Sequence, residues 1–548
     1  MAQKDELVLG VDVGTGSVRA GVFNLRGKLL GVGECPIEIY RPKPDFVEQS
    51  SKNIWQSAGT AIRKCLKNAG VKRGRVIGVS FDATCSLVAL DTNDKPITVS
   101  PTGRPEQNII VWMDHRAIDQ AERINATKHR VLRYVGGSIS PEQEPPKLLW
   151  IKNNLPRTWK RAGKFFDLAD FMVYAATGND VRSLCTVVCK WTYLGHERKY
   201  GRWDTSFFEQ VGLEDLFDGG RVGDSVRPMG TYAGPLTPEA ARELGLASGI
   251  AVGVGIIDAH AGGVGVLGSA LREGDGGIES VERVLALIGG TSSCHMATTS
   301  KRIFVKGVWG PYYGAMIPGS WLLEGGQSAT GALVDHVIAD SAASKELFAV
   351  ARKKAKTPYE ILNKMVQGKE KREWRGPEIT KDFHVLPYHH GNRSPRANPH
   401  ARGLVDGLSL DESLESLAVQ YYATVQAVAY GTRHIIEAMN KKGLSITKIH
   451  ACGGGTKNPL WLQEHADVTG CDIVLPQEPE AMLLGTAILA AVAAGAYPSV
   501  IEAMGAMGHS GRVIHADSST QAYHNAKYDI FKKMYAYQLN HRRRMSEF

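Results

Sequence analysis

Two stretches of this 548-residue chain share one hydrophobic–polar pattern. In the first, the apolar run Val8-Leu9-Gly10-Val11-Asp12-Val13 passes through Gly14-Thr15-Gly16-Ser17 into Val18-Arg19-Ala20. In the second, Val284-Leu285-Ala286-Leu287-Ile288 passes through Gly289-Gly290-Thr291-Ser292 into Ser293-Cys294-His295-Met296. Each predicts a β-hairpin whose turn presents backbone N–H groups and hydroxyls, the equipment of an anion-binding concavity. Each copy opens one half of the chain, which predicts a nucleotide held between two related lobes.

The patterning extends outward from each hairpin. Leu7–Val13, Val18–Phe23 and Lys28–Glu34 read as three antiparallel strands, and Asn53–Asn68 as an amphipathic helix with Trp55, Ala58, Ile62 and Leu66 near one face. Arg75–Phe81, Ile109–Met113 and Ala251–Ile257 read as buried strands ending at Asp82-Ala83-Thr84, Asp114-His115-Arg116 and Asp258-Ala259-His260. The carboxyl ends of such strands are where α/β proteins place ligands. After the second hairpin, Ser328–Ala339 reads as a helix and the charged stretch 353–381 as a surface insertion. Ser409 with Glu412 makes a capping box for a long helix through about Asn440, with Leu414, Leu417, Tyr421, Val425, Val428 and Ile435 on one face and Gly443 as its stop. Thr447–Ala451 reads as a strand entering Gly453-Gly454-Gly455, and Pro479 as the start of the last core helix, Glu480–Ala494. The lobe boundary falls between about Gly265 and Glu282.

Composition keeps this picture in the soluble globular class, with 43% apolar and 22% charged residues. The length fits about two to four domains of roughly 100–200 residues. The net charge of +9 is spread along the chain apart from His541-Arg542-Arg543-Arg544, and no basic stripe or aromatic–basic module points to nucleic acid. The eight cysteines, Cys35, Cys65, Cys85, Cys185, Cys189, Cys294, Cys452 and Cys471, form no Cys-x-x-Cys pair and no zinc spacing. With a polar Met1–Glu6 leading straight into a strand, they read as reduced cytoplasmic thiols. The apolar run Ala487–Ala496 is far shorter than the roughly 18 residues of a membrane span.

Several positions can carry chemistry. Asp12, two residues before the first Gly-Thr turn, suits a Mg²⁺ that neutralises both carboxylate and phosphate; Ile288 holds the matching place in the second hairpin, so one copy alone has the charge. Asp258 at the end of a Gly-rich strand can accept a proton from a hydroxyl attacking phosphorus, or cap a helix, and the two roles are compatible. Gly453-Gly454-Gly455 permits close approach of a ligand. Gly263-x-Gly265-x-x-Gly268 matches a dinucleotide fingerprint formally but reads better as a small-residue helix face under Asp258. No Walker loop and no protein-kinase motif set is present. His389-His390 reads as loop, because adjacent histidines do not readily chelate one ion. Lys190 is open between a snorkelling surface residue and a sugar ligand, and Glu324 is equally open.

Taken together, Gly10–Ser17, Asp258 in its Gly-rich setting, Gly290-Thr291 and Gly453-Gly454-Gly455…Asn458 resemble the FGGY carbohydrate kinases, in order and over nearly the whole chain. Phe81–Ser86, Val111–Arg116, Cys189-Lys190-Trp191, Glu324–Ser328 and His390–Pro395 are similar to the ribulokinase branch. The resemblance implies an α/β fold of two duplicated ribonuclease-H-like lobes of the actin/hexokinase type with an interlobe active-site cleft. It implies an N-terminal lobe at 5–268 carrying the sugar site, metal carboxylate and base, and an ATP-binding C-terminal lobe at 269–548. Asp258 would be the base and Asp12 would hold Mg²⁺. Gly14, Thr15, Ser17, Gly290, Thr291, Gly331, Gly453, Gly454, Gly455 and Asn458 would bind ATP. Asp82, Ala83, Trp112, Lys190, Asp258 and Glu324 would surround the sugar. The expected reaction is ATP-dependent phosphorylation of the terminal hydroxyl of a ketopentose, D-ribulose first, with L-ribulose, ribitol or another pentose derivative as alternatives. A chaperone-like or non-catalytic nucleotide-binding protein on the same fold is the alternative of another class. The expected partners are the sugar and ATP, with no nucleic acid and no membrane; a homodimer is compatible with the resemblance. Asp258-Ala259-His260 departs from the Asp-Asn or Asp-Gln start of xylulose and glycerol kinases, which weakens transfer of substrate from those branches.

Overall fold

The first hairpin forms from β1 (Leu7–Val13) and β2 (Ser17–Asn24), and β3 (Leu29–Pro36) extends it antiparallel. The computed structural model describes residues 6–197, 201–274, 276–368 and 376–548. β4 (Val76–Ala83) lies parallel to β1, and beyond it come β5 (Tyr232–Pro235) and β6 (Ala251–Gly253), giving the order β5-β6-β4-β1-β2-β3. The predicted strand Ala251–Ile257 is broken: β6 ends at Gly253, and β7 (Ile256–Ile257) resumes pairing with β4. At the break, a Cβ on Gly255 would lie 2.6 Å from the Phe81 carbonyl, so the strand bends where its backbone approaches β4.

The second half repeats this sheet. β8 (Val284–Gly289) and β9 (Ser293–Thr299) form the hairpin; β10 (Trp309–Tyr313), β11 (Trp321–Gln327), β12 (Lys448–Cys452), β13 (Asp472–Pro476) and β14 (Ser510–Ile514) complete the order β10-β11-β9-β8-β12-β13-β14. From β3 to β5 and from β11 to β14, the successive pairings have the same orientations: two antiparallel, two parallel, one antiparallel. The difference is at the outer edge, where β5 precedes β6 in the chain but β14 follows β13.

Helices follow the period read from the sequence. α1 (Ser51–Ala69) is capped by the Ser50 hydroxyl, buries Ile54, Ala58 and Ile62, and stops at Gly70 in the left-handed region. The others that matter are α2 (Leu184–Lys190), α3 (Asp258–Glu273), α4 (Leu414–Asn440), α5 (Pro459–Thr469), α6 (Ala481–Ala493) and α7 (Gln521–Met545). α6, from the C-terminal half, packs on β1 and β4 of the first sheet; α3, from the N-terminal half, packs on β8 and β12 of the second; the two helices cross between the sheets. This explains why α6 is apolar on nearly every face. The 268/269 division falls inside α3.

The glycines of α3 permit that crossing. A Cβ on Gly265 would sit 2.0 Å from the Ala481 carbonyl oxygen, and one on Gly485 would sit 1.9 Å from that of Ala261. Both obstacles are backbone, so no rotamer change relieves them. The Gly-x-Gly-x-x-Gly match is therefore helix packing, as its sequence context suggests.

Four other expectations change. Ile109–Met113 contributes only Ile109–Ile110, in a small side sheet with Glu48–Gln49, Leu87–Asp91 and Ala162–Asp167. The long helix starts at Leu414 under Ser413, which caps it in place of Ser409. The stretch 353–381 is no loose insertion: Pro358–Val366 is a helix with a Thr357–Glu360 capping box, and it buries Ile361, Leu362 and Val366. Its residues 369–375 lie outside the described ones. Finally, α6 is not the last core helix, since α7 buries Tyr528, Phe531 and Met534 before ending in the exposed basic tail. Among the described residues no helix is long and apolar enough to cross a membrane.

Gly265→Ala should lower the stability of the whole chain by about 1–3 kcal/mol through overpacking. The denaturant midpoint measures this; an unchanged midpoint would show that the helices can separate freely.

Candidate active site

The two hairpin turns face each other across a cavity of about 310 Å³. Gly14 and Thr15 line it from one lobe; Gly290, Thr291, Gly453 and Gly454 line it from the other. Each turn is closed by its own glycine, the second one residue tighter: the Gly14 N–H donates to the Ser17 carbonyl (3.0 Å) and the Gly290 N–H to the Ser292 carbonyl (2.8 Å). Thr330 and Gly331 donate N–H groups to Thr291 and Gly290 from behind (3.0 and 3.1 Å), so that turn is held as it meets a ligand. Gly453, at φ +92°, sits against β8; a Cβ there would lie 2.4 Å from the Gly289 carbonyl.

The floor is acidic. Parallel register places Asp12 beside Asp82, and the break before β7 sets Asp258 at the first turn of α3. Burial raises the Asp258 carboxyl to about 6, with the Asp12 charge adding to it. The Asp258 carboxylate accepts the Ala259 N–H at 2.7 Å, and the helix N-terminus favours its charged form. Asp12 is also raised by burial, although a hydrogen bond from Asp82 works the other way. Burial and then Asp12 push Asp82 far up, so Asp82 is the protonated member of the pair. It also accepts the Thr486 hydroxyl of α6. Carboxylates crowded this closely, with two of them lining one cavity, form an oxygen donor set that a divalent cation such as Mg²⁺ fits.

The far end is cationic and aromatic. Lys190 and Arg393 both lie over the Trp309 ring, 5.0 and 5.1 Å from its centroid. Lys190 is buried, not snorkelling; burial opposes its charge, but Cys85 and Glu324 outweigh that and hold the ammonium protonated. Arg393, from the C-terminal half, reaches 3.4 Å from both Glu142 carboxylate oxygens in the N-terminal half. Burial alone would raise Glu142; Arg393, His115 and Lys190 hold it at about 2. Trp112 joins the two ends: its indole N–H donates to the Thr15 hydroxyl at 3.0 Å.

Of the residues singled out by sequence, Asp12, Gly14, Thr15, Trp112, Lys190, Asp258, Gly290, Thr291, Glu324, Gly453 and Gly454 line this cavity together. Ser17, Asp82, Ala83, Gly331, Gly455 and Asn458 are not part of that lining. Asn458 caps α5, accepting from the Leu460 and Trp461 N–H groups (3.1 and 3.4 Å) and donating to the Tyr421 hydroxyl (2.8 Å). Asp114 and Arg116, at a predicted strand end, form a buried ion network with Glu48. His390 stacks on His115 and His389 meets His336, so the histidine pair faces two directions. Glu142, Trp309 and Cys294 carry no site signal in the sequence; Cys85 and Arg393 lie within the stretches Phe81–Ser86 and His390–Pro395, but nothing in the sequence pairs Arg393 with Glu142.

Two lobes with equivalent sheets, crossed helices and a carboxylate-floored cleft define the actin/hexokinase-type class. The chain belongs to the FGGY family of carbohydrate kinases. Residues 7–265 match the N-terminal domain of that family and 285–494 its C-terminal domain. The chain is 47% identical to an FGGY carbohydrate kinase domain-containing protein of Xenopus laevis, covering 98% of each. It is 40% identical to a D-ribulokinase of Saccharomyces cerevisiae, over 88% of this chain and 71% of the yeast protein. A xylulose kinase structure from Rhodospirillum rubrum superimposes with a TM-score of 0.75 at 21% identity, covering 97% of this chain and 98% of that one, which supports the fold.

The Glu142–Arg393 pair should behave as a partly buried charge couple. Glu142→Gln or Arg393→Met alone should cost about 1.5–3 kcal/mol by leaving the other charge without its partner, and the double variant should regain much of it. A double-mutant cycle in denaturant measures the coupling; additive losses would show the pair to be independent.

Proposed function

We propose that this carbohydrate kinase transfers the γ-phosphoryl group of ATP to the terminal hydroxyl of a ketopentose, D-ribulose first. The observation that carries the reading is Asp258: a half-buried carboxyl on the cavity wall, raised to about 6, between the paired Gly-Thr turns and the Lys190–Glu324 end of one cavity. The 40% identity to the yeast D-ribulokinase favours ribulose over other pentoses.

In this reading ATP lies along the turns, with its triphosphate on the N–H groups and hydroxyls of Gly14-Thr15 and Gly290-Thr291 and the remainder near Gly453–Gly455. Bound at Asp12, Mg²⁺ would neutralise charge developing on the phosphates. Lys190, Glu324 and Trp112 hold the sugar so that one hydroxyl meets Asp258. Asp258 accepts that proton as the oxygen attacks. Phosphoryl transfer is loose and demands little of its base beyond position, which a carboxylate of this pKa fulfils. Apolar and aromatic walls at Ile257, Ile288 and Trp309 exclude the water that would otherwise take the phosphoryl group.

Asp258→Asn should lower kcat by about 100–10,000-fold while leaving ADP binding within its normal range; retained turnover would remove Asp258 as the base. Because the base acts deprotonated, kcat/KM for the sugar should be level above its pKa of about 6 and fall as pH drops through it. A pH profile with no acid limb would contradict that role. Turnover of D-ribulose, L-ribulose, ribitol, D-xylulose and glycerol with ATP settles the substrate; glycerol turnover with none of D-ribulose would sink the reading.

A further inference from the structure

Behind the sugar end of the cavity lies a cluster that phosphoryl transfer does not use. α2 carries Cys185 and Cys189 four residues apart, one above the other on a single face. α3 brings His260 onto that face, and the two sulfurs and a ring nitrogen lie within 4.8 Å of one another. Cys189 Sγ is 3.9 Å from His260 Nε2, and Glu324 Oε2 is 3.6 Å from the same nitrogen. Cys185, Cys189 and His260 are at most 1% exposed and Glu324 is 5% exposed. Glu324 Oε2 makes no hydrogen bond, so a buried carboxylate lone pair is aimed at this group without a partner.

These atoms have the chemistry of a thiolate–imidazole metal site, and the cluster, held within 4.8 Å, tightens onto an ion as Glu324 moves in. Zn–S bonds of about 2.3 Å and Zn–N bonds of about 2.0–2.1 Å put tetrahedral ligand atoms about 3.4–3.8 Å apart. We propose that Cys185, Cys189 and His260 bind a thiophilic divalent cation of the Zn²⁺ class, with Glu324 as fourth ligand, and that its binding inhibits sugar phosphorylation. The inhibition rests on the reading of Glu324 as a sugar ligand; the metal site does not.

Charges and protons balance simply. Binding displaces two protons in all from the Cys185–Cys189–His260 group, leaving two thiolates and a neutral imidazole as two metal–sulfur bonds and one metal–nitrogen bond form. Two thiolates then offset the cation, and Lys190 beside Cys189 offsets the Glu324 carboxylate. Affinity therefore rises with pH. Sulfur and imidazole donors select against Mg²⁺, which takes oxygen, so the reaction's own cation does not compete. Coordination takes Glu324 from the sugar.

The test uses the full chain, reduced and stripped with chelator. Titration with Co²⁺ should produce a sulfur-to-cobalt charge-transfer band and the strong visible bands of tetrahedral coordination, saturating at one ion per chain, and Zn²⁺ should abolish them. Cys185→Ser with Cys189→Ser should lose the charge-transfer band, while Cys65→Ser, a buried thiol of α1, should keep it. His260→Ala should retain the band but weaken affinity by about 10–100-fold or more. In the kinase assay, Zn²⁺ should raise the sugar KM, and chelator should restore it. A folded, ADP-binding wild-type chain without the charge-transfer band overturns the site. A band without any change in sugar KM, in protein that phosphorylates a ketopentose, overturns the inhibition alone. Absence of sugar phosphorylation before any Zn²⁺ is added overturns the kinase reading and leaves the spectrum to judge the site.

Discussion

The contact on which the rest of this molecule depends is the crossing of α3 and α6. Each helix comes from one half of the chain and packs on the sheet of the other half. Carbonyl groups stand where side chains would be at Gly265 and Gly485, so the two backbones approach as closely as helices can. The lobes are thereby interleaved. Neither sheet can be covered without a helix supplied by the other half, and the cavity sits at the mouth of the crossing. Asp258 begins one of these helices, and Thr486 of the other donates its hydroxyl to Asp82. The packing that holds the lobes together also holds the carboxyl groups.

The cavity is polarised along its length. Acidic groups gather at the end lined by the Gly-Thr turns, where burial raises Asp12 and Asp82, and burial with the Asp12 charge raises Asp258. Lys190 and Arg393 gather at the other end around Trp309. The acidic floor groups carboxyl oxygens in one place. The cationic end anchors Glu142, a carboxylate that burial would otherwise raise.

Much of this was legible from local pattern. The hairpins, α1 and the carboxyl end of β4 follow from period, caps and turns. Asp258 was visible because a Gly-rich strand ending in an acid has few other uses. What sequence did not carry was long-range meeting. Nothing local to Glu142 or Arg393 indicates that they join across the cleft. Cys185 and Cys189 have no metal spacing until the fold adds His260 from another helix. Within 353–381 the helix Pro358–Val366 is hidden from a reading by charge, since Glu360 and Lys364 stand four residues apart while Ile361, Leu362 and Val366 are buried. Asp114 shows the limit of reading polar strand ends as ligand positions, since it belongs to a structural ion network with Arg116 and Glu48.

The last consequence belongs to the edge strand. In the first half β5 is made before the strand it covers, but in the second half β14 is made after β13 and after the helix that completes the crossing. The family match ends at 494, before both β14 and α7. A chain cut at that limit would possess every residue of the cleft and still expose an unpaired row of N–H and C=O groups along β13, together with the bared aromatic bed of α7 around Tyr430. Such a fragment would be prone to join its neighbours edge to edge. The working boundary of the second lobe is therefore set by hydrogen-bond closure of its sheet, some way beyond the last position that chemistry requires.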